Sequence, residues 1–247
     1  MNSGLYAACA GLVAQTQALE LAANNLANLN TSGYKAQLPS FHSLLAVSNT
    51  SSNMSQSGSM AQAVNDFGVL EGSHSDTTQG NLEHTGNDLD FALQGDGWFA
   101  VQSESGPLYT RNGTFHVDTS GHLVTADGKA VMGSQGPVTI PPGKLSVSDN
   151  GTISVDGALA GQLRVVSFAK ETALTPIGSS YFSAPGESER PGTAKVVQGA
   201  LEDSNVNGME AAVGLVALQR RADMLQQALT AFHSNFNRIA AQDLSKI

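Results

Sequence analysis

Charge is scarce in this 247-residue chain: only 13% of residues are Asp, Glu, Lys or Arg. What charge there is leans acidic, with 21 carboxylates against 12 cations and a net charge of −9. No basic run occurs, which argues against a nucleic-acid partner. Cysteine appears once, at Cys9, so no disulfide or cysteine-zinc site can form within the chain. A small core role is left for it. No apolar run approaches the roughly 20 residues of a spanning helix, so no membrane insertion is expected. The N-terminus lacks the basic region and long apolar stretch of a secretory signal; export, if it occurs, is expected to proceed without a cleaved Sec signal.

Catalytic and ligand-binding patterns are missing too. The six histidines, at 42, 74, 84, 116, 122 and 233, fit no metal spacing. His116 and His122 could face each other across a hairpin, but ordinary surface histidines outnumber two-ligand sites. Asp88 and Asp90 point to one face of a strand, without the cleft a glycosidase pair requires. Gly95-Asp96-Gly97 lacks the third glycine and following helix of a phosphate loop, and no Gly-x-Ser-x-Gly elbow is present. The run from Asp118 to Gly121 does not match a calcium loop. The expectation is a protein with no catalytic residue, no cofactor, no metal and no small-molecule substrate.

What the chain does have is helix of an uncommon kind. Its first 33 residues carry one charge, Glu20, where an amphipathic helix on a monomer shows water a charged face. Leu5, Leu12, Leu19 and Leu26 recur every seven residues, with Cys9, Thr16 and Ala23 between them. That is the spacing of a coiled-coil seam. At about 100° per residue, Asn24 and Asn28 fall opposite the leucines, with Tyr6, Ala10, Ala14, Gln17 and Leu21. Asparagine amides compete for backbone hydrogen bonds and weaken helices, so these amides are expected to find partners on other subunits. An alanine-rich core helix with ordinary end residues is the plainer alternative. Gly33 is expected as the left-handed residue that ends the helix.

The other end mirrors this. Leu215, Leu218, Ala222, Leu225, Leu229, Phe232, Phe236 and Ile239 alternate three and four steps, and Asn207 with Glu210 forms a candidate capping box. Two heptad helices at opposite termini predict an antiparallel pair; a helical hairpin capping a globular core is the alternative. Residues 46–66 are rich in Ser and Asn and read as loosely ordered. From about residue 76, short strands are punctuated by Asn112-Gly113, Ser120-Gly121, Asp127-Gly128, Asn150-Gly151 and Asp156-Gly157, which are hairpin signals. The expected fold class is therefore α+β, mainly β with terminal helices. A discontinuous coiled-coil domain (1–35 with 204–247) would be followed inward by a linker (36–75) and an inserted all-β domain (76–203).

The block Ala23-Asn-Asn-Leu-Ala-Asn28, followed by Thr31-Ser-Gly-Tyr-Lys35, resembles the signature of the flagellar rod and hook family. So do Gln79 to Asp90 with Gly95-Asp-Gly-Trp-Phe99, Tyr109 to Phe115 with Gly121 to Thr125, and Gly199 to Asn207 with Gln219-Arg220. The four blocks are collinear and cover most of the chain. The resemblance implies terminal helices paired in an inner coiled-coil domain, a β-rich outer domain, and helical stacking into the periplasmic rod of the basal body. It implies as partners other copies of the chain, neighbouring rod subunits and the flagellar type III export gate.

The assembly surface would comprise Leu5, Leu12, Leu19, Asn24, Asn25, Leu26, Asn28, Thr31, Gly33 and Tyr34 on the first segment. Leu215, Leu218, Leu225, Leu229, Phe232 and Phe236 would serve on the last helix. Phe41-His-Ser-Leu-Leu45 resembles the family's short gate-recognition motif, in which an aromatic and an aliphatic residue stand four apart. A buried pair one helical turn apart has the same spacing. The short start, the length and the stretch from Gly136 to Gly143 look most like proximal rod members, with distal rod members the close alternative. Two departures stand out: Ala222 replaces a common aromatic, and Gly208 and Gly214 soften the last helix by up to ~1 kcal/mol each.

The expected protein is a structural, self-assembling subunit. Two rivals make different demands. A β-rich binding module with coiled-coil ends would tolerate loss of residues 1–35, and a wall-remodelling enzyme would need converging carboxylates or a metal.

Overall fold

The computed structural model describes residues 2–42, 69–104, 106–169, 174–185 and 189–244. Its chain divides into two units. One holds residues 1–26, 37–73 and 208–247, and the other holds 27–36 and 74–207.

The first unit is built on two helices, α1 (Asn2–Ala27) and α2 (Gly208–Leu244), with the paired strands β1 (Gln37–His42) and β2 (Val69–Ser75). Among the described side chains of α1 the deepest are Ala14 and Ala18, while Leu12, Leu19 and Leu26 are half-buried and Thr16 and Ala23 are exposed. The closest packing therefore runs along small side chains, beside the leucine row. Gln15 lies on that line, and its Nε2 donates to the Leu218 carbonyl at 3.1 Å. On α2, Leu215, Leu218, Ala222, Leu225 and Leu229 are half-buried between exposed neighbours, the three-and-four spacing of a helix face. Phe41 lies on β1, so a helical-turn pairing does not apply to it. Leu45 lies outside the described residues.

Among its described residues the regular structure of the second unit is β apart from the end of α1. In chain order its first strands are β3 (Leu82–His84), β4 (Phe91–Gln94), β5 (Trp98–Ser103), β6 (Gly106–Thr110), β7 (Phe115–Val117) and β8 (Leu123–Thr125). There follow β9 (Met132–Gly133), β10 (Gly136–Pro137), β11 (Leu145–Val147), β12 (Thr152–Val155), β13 (Ala158–Gln162) and β14 (Val165–Phe168). The last are β15 (Thr175–Ile177), β16 (Tyr181–Ser183), β17 (Glu189–Pro191), β18 (Lys195–Gln198) and β19 (Ala200–Glu202). A six-stranded antiparallel sheet runs β15-β16-β6-β5-β14-β17, and β19 pairs with β3 while β18 pairs with β4.

The sequence of β5 explains why it is central. Successive side chains alternate between faces, and both faces here are covered. Phe99 and Val101 enter one cluster with Phe91, Phe115, Leu123 and Ile153. Trp98 and Ala100 enter a second with Tyr109, Val166 and Phe182. Hence the strand reads as an unbroken apolar run. Edge-on ring pairs, Phe99–Phe115 at 5.3 Å and Trp98–Phe182 at 4.9 Å, lie in the respective clusters.

Of the expected turns, Asp156-Gly157 is a two-residue hairpin with φ of 52° and 82°, the positive pair a type I′ turn needs. Ser120-Gly121 and Asn150-Gly151 sit in longer hairpin loops. Asn112-Gly113 is different. It connects two sheets, and a Cβ on Gly113 would stand 1.6 Å from the Phe91 carbonyl oxygen. That glycine is required by backbone crowding, with no hairpin involved. His116 is opposite Val124, so the two histidines do not face each other. His122 Nδ1 instead lies 3.4 Å from Asp118 Oδ2.

Two predictions follow from this packing. Gly113→Ala should destabilise the β unit by about 3 kcal/mol or more, whereas Gly157→Ala, in open space, should cost only about 1–2 kcal/mol for its left-handed backbone. Denaturant melts of the two variants measure the difference. Burial raises the pKa of Tyr34, Tyr109 and Tyr181, and Glu189 adds to the shift at Tyr109. Unfolded phenols lose protons near pH 10 while these hold theirs, so their contribution to stability is intact below pH 10 and falls as pH rises beyond it. Phenolate absorbance should therefore rise for these three together with unfolding, above pH 10.

Candidate functional site: a buried ionic knot

Where α1 ends, the chain turns sharply into the β unit. The Thr31 amide donates to the Asn28 carbonyl at 3.1 Å, and Thr31 Oγ1 donates to Asn28 Oδ1 at 3.2 Å. Gly33 follows with φ of 69°, a conformation glycine adopts without steric cost. A Cβ there would also meet the Asn112 backbone nitrogen at 2.2 Å. Freed of a side chain, the Gly33 amide reaches the Glu202 carbonyl at 2.7 Å. This docking delivers Tyr34 and Lys35 into the interior, each 1% exposed.

Lys35 Nζ donates to Glu202 Oε1 at 2.5 Å and to the Thr78 carbonyl at 2.6 Å. The same Oε1 accepts the Gly80 amide at 3.0 Å, and Oε2 accepts Arg111 Nη1 at 3.1 Å. Arg111 Nη2 donates to the Gly95 carbonyl at 2.9 Å, and the guanidinium lies 5.3 Å from the centre of the Trp98 ring. The three ionic side chains are at most 3% exposed. Burial pushes the Lys35 pKa down, while Glu202 opposes the shift. Removing charges from water costs several kcal/mol per ion, and only tight pairing with extra hydrogen bonds offsets it. Glu202 meets that requirement with one backbone and two cationic donors.

Asn205 completes the arrangement. Its Oδ1 accepts the Ala36 amide at 2.7 Å, and its Nδ2 donates to the carbonyls of Asp76 at 2.8 Å and Thr78 at 3.1 Å. Gln79 braces the neighbouring strand, donating to the Leu93 carbonyl at 2.8 Å and accepting the Gly95 amide at 3.0 Å. Residues from all four sequence blocks thus converge on one carboxylate. Both Glu202 oxygens, Lys35 Nζ and the two terminal nitrogens of Arg111 are engaged in holding, while Arg111 Nε is buried without a hydrogen-bond partner among the described residues. Among the described residues no three His, Cys, Asp or Glu side chains gather as metal ligands do. Asp90, deeply buried, is held by Thr85 and Asn87, while Asp88 stays exposed.

The structure distributes the sequence-nominated residues unevenly. Thr31, Gly33 and Tyr34 belong to the knot, and Gly33 and Tyr34 face the chain's own interior, where a neighbouring subunit has nothing to touch. Asn24 is exposed, and Asn25 and Asn28 are half-buried. Leu12, Leu19, Leu26, Leu215, Leu218, Leu225 and Leu229 line the helices as half-buried residues. Leu5, Phe232 and Phe236 lie on those helices, with side chains outside the described set. Sequence reasoning did not single out Lys35, Arg111, Glu202 or Asn205. The available signal was the presence of ions inside glycine- and aromatic-rich motifs of a charge-poor chain.

Comparison with known proteins matches three segments. Residues 5–35 match the flagella basal body rod protein family, residues 92–155 the flagellar hook protein FlgE/F/G D1 domain, and residues 197–242 the flagellar basal body rod FlgEFG protein C-terminal region. The chain is 33% identical to the flagellar basal-body rod protein FlgG of Agrobacterium fabrum, covering 92% of this chain and 94% of that one. It is 31% identical to FlgF of Escherichia coli and 29% identical to FlgF of Salmonella typhimurium, each covering 96% of this chain and 97% of the relative.

The knot makes an asymmetric prediction. Glu202→Gln leaves two buried cations facing each other and should cost about 3–5 kcal/mol. Lys35→Met leaves the Arg111–Glu202 pair balanced and should cost clearly less. Equal losses in urea melts of the two variants would contradict the assignment.

Proposed function

This chain belongs to the flagellar basal-body rod protein family and is a structural subunit of the rod, and we propose that it joins its neighbours through α1 and α2. The observation that carries this is a second apolar stripe. Val213, Val216 and Met224 are 67%, 51% and 61% exposed. At about 100° per residue they share one face of α2, opposite the half-buried Leu215, Leu218, Ala222 and Leu225. Val13 on α1 is likewise 58% exposed. Among the described residues only one of these two apolar sides of the helix is half-buried, and exposed apolar surface like that of the other side marks an interaction site. Neighbouring subunits cover the second side, and that burial offsets the entropy of ordering the helices. Many repeated contacts of this sort make a rigid shaft.

The chain lies in the flagellar basal body. Its place within the periplasmic rod, reached through the type III export gate without signal cleavage, belongs to the proposal. Phe41 and Leu45 are the pair proposed to dock on that gate. A proximal, FlgF-like place is supported by two FlgF relatives that match 96% of this chain over 97% of their own length. A distal, FlgG-like place is the second reading, favoured by the 33% identity to the Agrobacterium protein.

Val213→Glu with Val216→Glu should abolish incorporation into basal bodies and swimming while the β unit melts as in the parent chain. Normal swimming with both charges present would overturn the assembly face. Labelling a tagged subunit in isolated basal bodies distinguishes proximal from distal placement.

A further inference from the structure

The first 33 residues carry a single charge, Glu20, and α1 holds it exposed. At about 100° per residue, Val13, Thr16, Gln17 and Ala23 lie within about 60° of it, and all four are exposed as well. Glu20 therefore stands in the middle of an outer face that is otherwise uncharged. The half-buried Leu12, Leu19 and Leu26 fall outside that arc. On α2 the same construction recurs with the opposite sign. Arg220 is exposed, and the exposed Val213, Val216 and Met224 lie within about 40° of its direction. Its neighbour Arg221 is turned about 100° away. Among the described residues neither Glu20 nor Arg220 forms an ion pair.

A cation in the middle of an apolar patch loses its water when the patch is covered, and the cover must then bring a counter-charge. The surface that fits α2 is thus one with a lone carboxylate among small, uncharged side chains. Every copy of this chain carries such a surface on α1. We propose that the outer face of α2 in one copy is covered by the outer face of α1 in a second copy, with Glu20 of one paired to Arg220 of the other. The two symmetric alternatives are opposed by charge, since α1 on α1 sets Glu20 against Glu20 and α2 on α2 sets Arg220 against Arg220. The pair also fixes register. A slip of one turn, about 5.4 Å, moves Arg220 off Glu20 and leaves both charges unmatched. The contact is heterologous: each copy offers α1 to one neighbour and α2 to another, so association extends through open ends where the rotation does not close. This assignment of the partner deepens the rod-subunit reading and rests on it.

The test reverses the charges singly, together and in mixture, in cells lacking the parent chain. Glu20→Arg alone, or Arg220→Glu alone, sets like charges against each other. Either should cut incorporation into isolated basal bodies at least about 10-fold and stop swimming, while the β unit melts as in the parent. Produced together as separate chains, the two variants should restore both readouts, because each supplies the charge that the other's reversed face requires. That rescue also shows that both variants fold. A chain carrying both reversals should be restored too. Rescue by the doubly reversed chain without rescue by the mixture would put the pair inside one chain and overturn the contact between copies. Rescue by neither would assign the covering face to a different subunit and overturn the second copy as partner. Normal incorporation of either single variant would remove the pair altogether. The Val213→Glu, Val216→Glu chain separates this inference from the reading beneath it. Its exclusion from basal bodies alongside normal assembly of the charge reversals would sink the pairing and leave the rod reading standing; its own normal assembly would sink the reading.

Discussion

A carboxylate taken out of water must find its counter-charges in the chain that buries it, and Glu202 finds them in three remote places. Lys35 comes from the segment after α1, Arg111 from the strand-to-strand connection after β6, and the Gly80 amide from the approach to β3. Losing Glu202 leaves two cations unmatched in a medium that penalises them heavily, and losing any of its three donors leaves its oxygens less fully satisfied. The surrounding requirements follow from that one demand. Gly33 and Gly80 lack side chains because a Cβ at either would collide with backbone, at 2.2 Å and 2.1 Å. Trp98 offers its ring to a guanidinium that must stay dry. The β unit thereby accepts a ten-residue stretch, 27–36, whose flanking segments belong to the helical unit.

The two units embody opposite solutions to burial. The β unit completes its own core, with side chains on both faces of its main sheet covered by its own chain. The helical unit leaves apolar surface on display and places small residues where packing is closest. Such a division suits a subunit that must be specific in itself in one unit and receptive in the other. It also accounts for the low charge of α1, since a charged face would obstruct close contact on its remaining sides.

The periodic features were legible in the sequence and the long-range ones were not. On α2 the described residues Leu215, Leu218, Ala222, Leu225 and Leu229 of the three-and-four spacing lie half-buried, because helix periodicity is local. The α1 row was read from its leucines, yet among the described side chains Ala14 and Ala18 lie deepest, since periodicity ranks positions by hydrophobicity and closeness of approach depends on size. Asp156-Gly157 turned as expected. Asn112-Gly113 has the same dipeptide chemistry, but its glycine answers to the carbonyl of Phe91, which no local pattern announces. Lys35, Arg111 and Glu202 are separated by 91 and 167 residues along the chain, and ion pairs of that span leave no spacing to detect. The resemblance of four collinear blocks to one family marked where to look without saying what joined them.

The separation of Lys35 from Glu202 has a kinetic side. Contacts so distant in sequence close late, after the loop entropy between them has been overcome. A chain emerging N-terminus first, from a ribosome or a narrow conduit, holds its Lys35 segment undocked until Glu202 has emerged too, when most of the chain is already outside. The knot is therefore a completion signal written into topology: the N-terminal segment cannot settle against the β unit before nearly all of that unit has arrived.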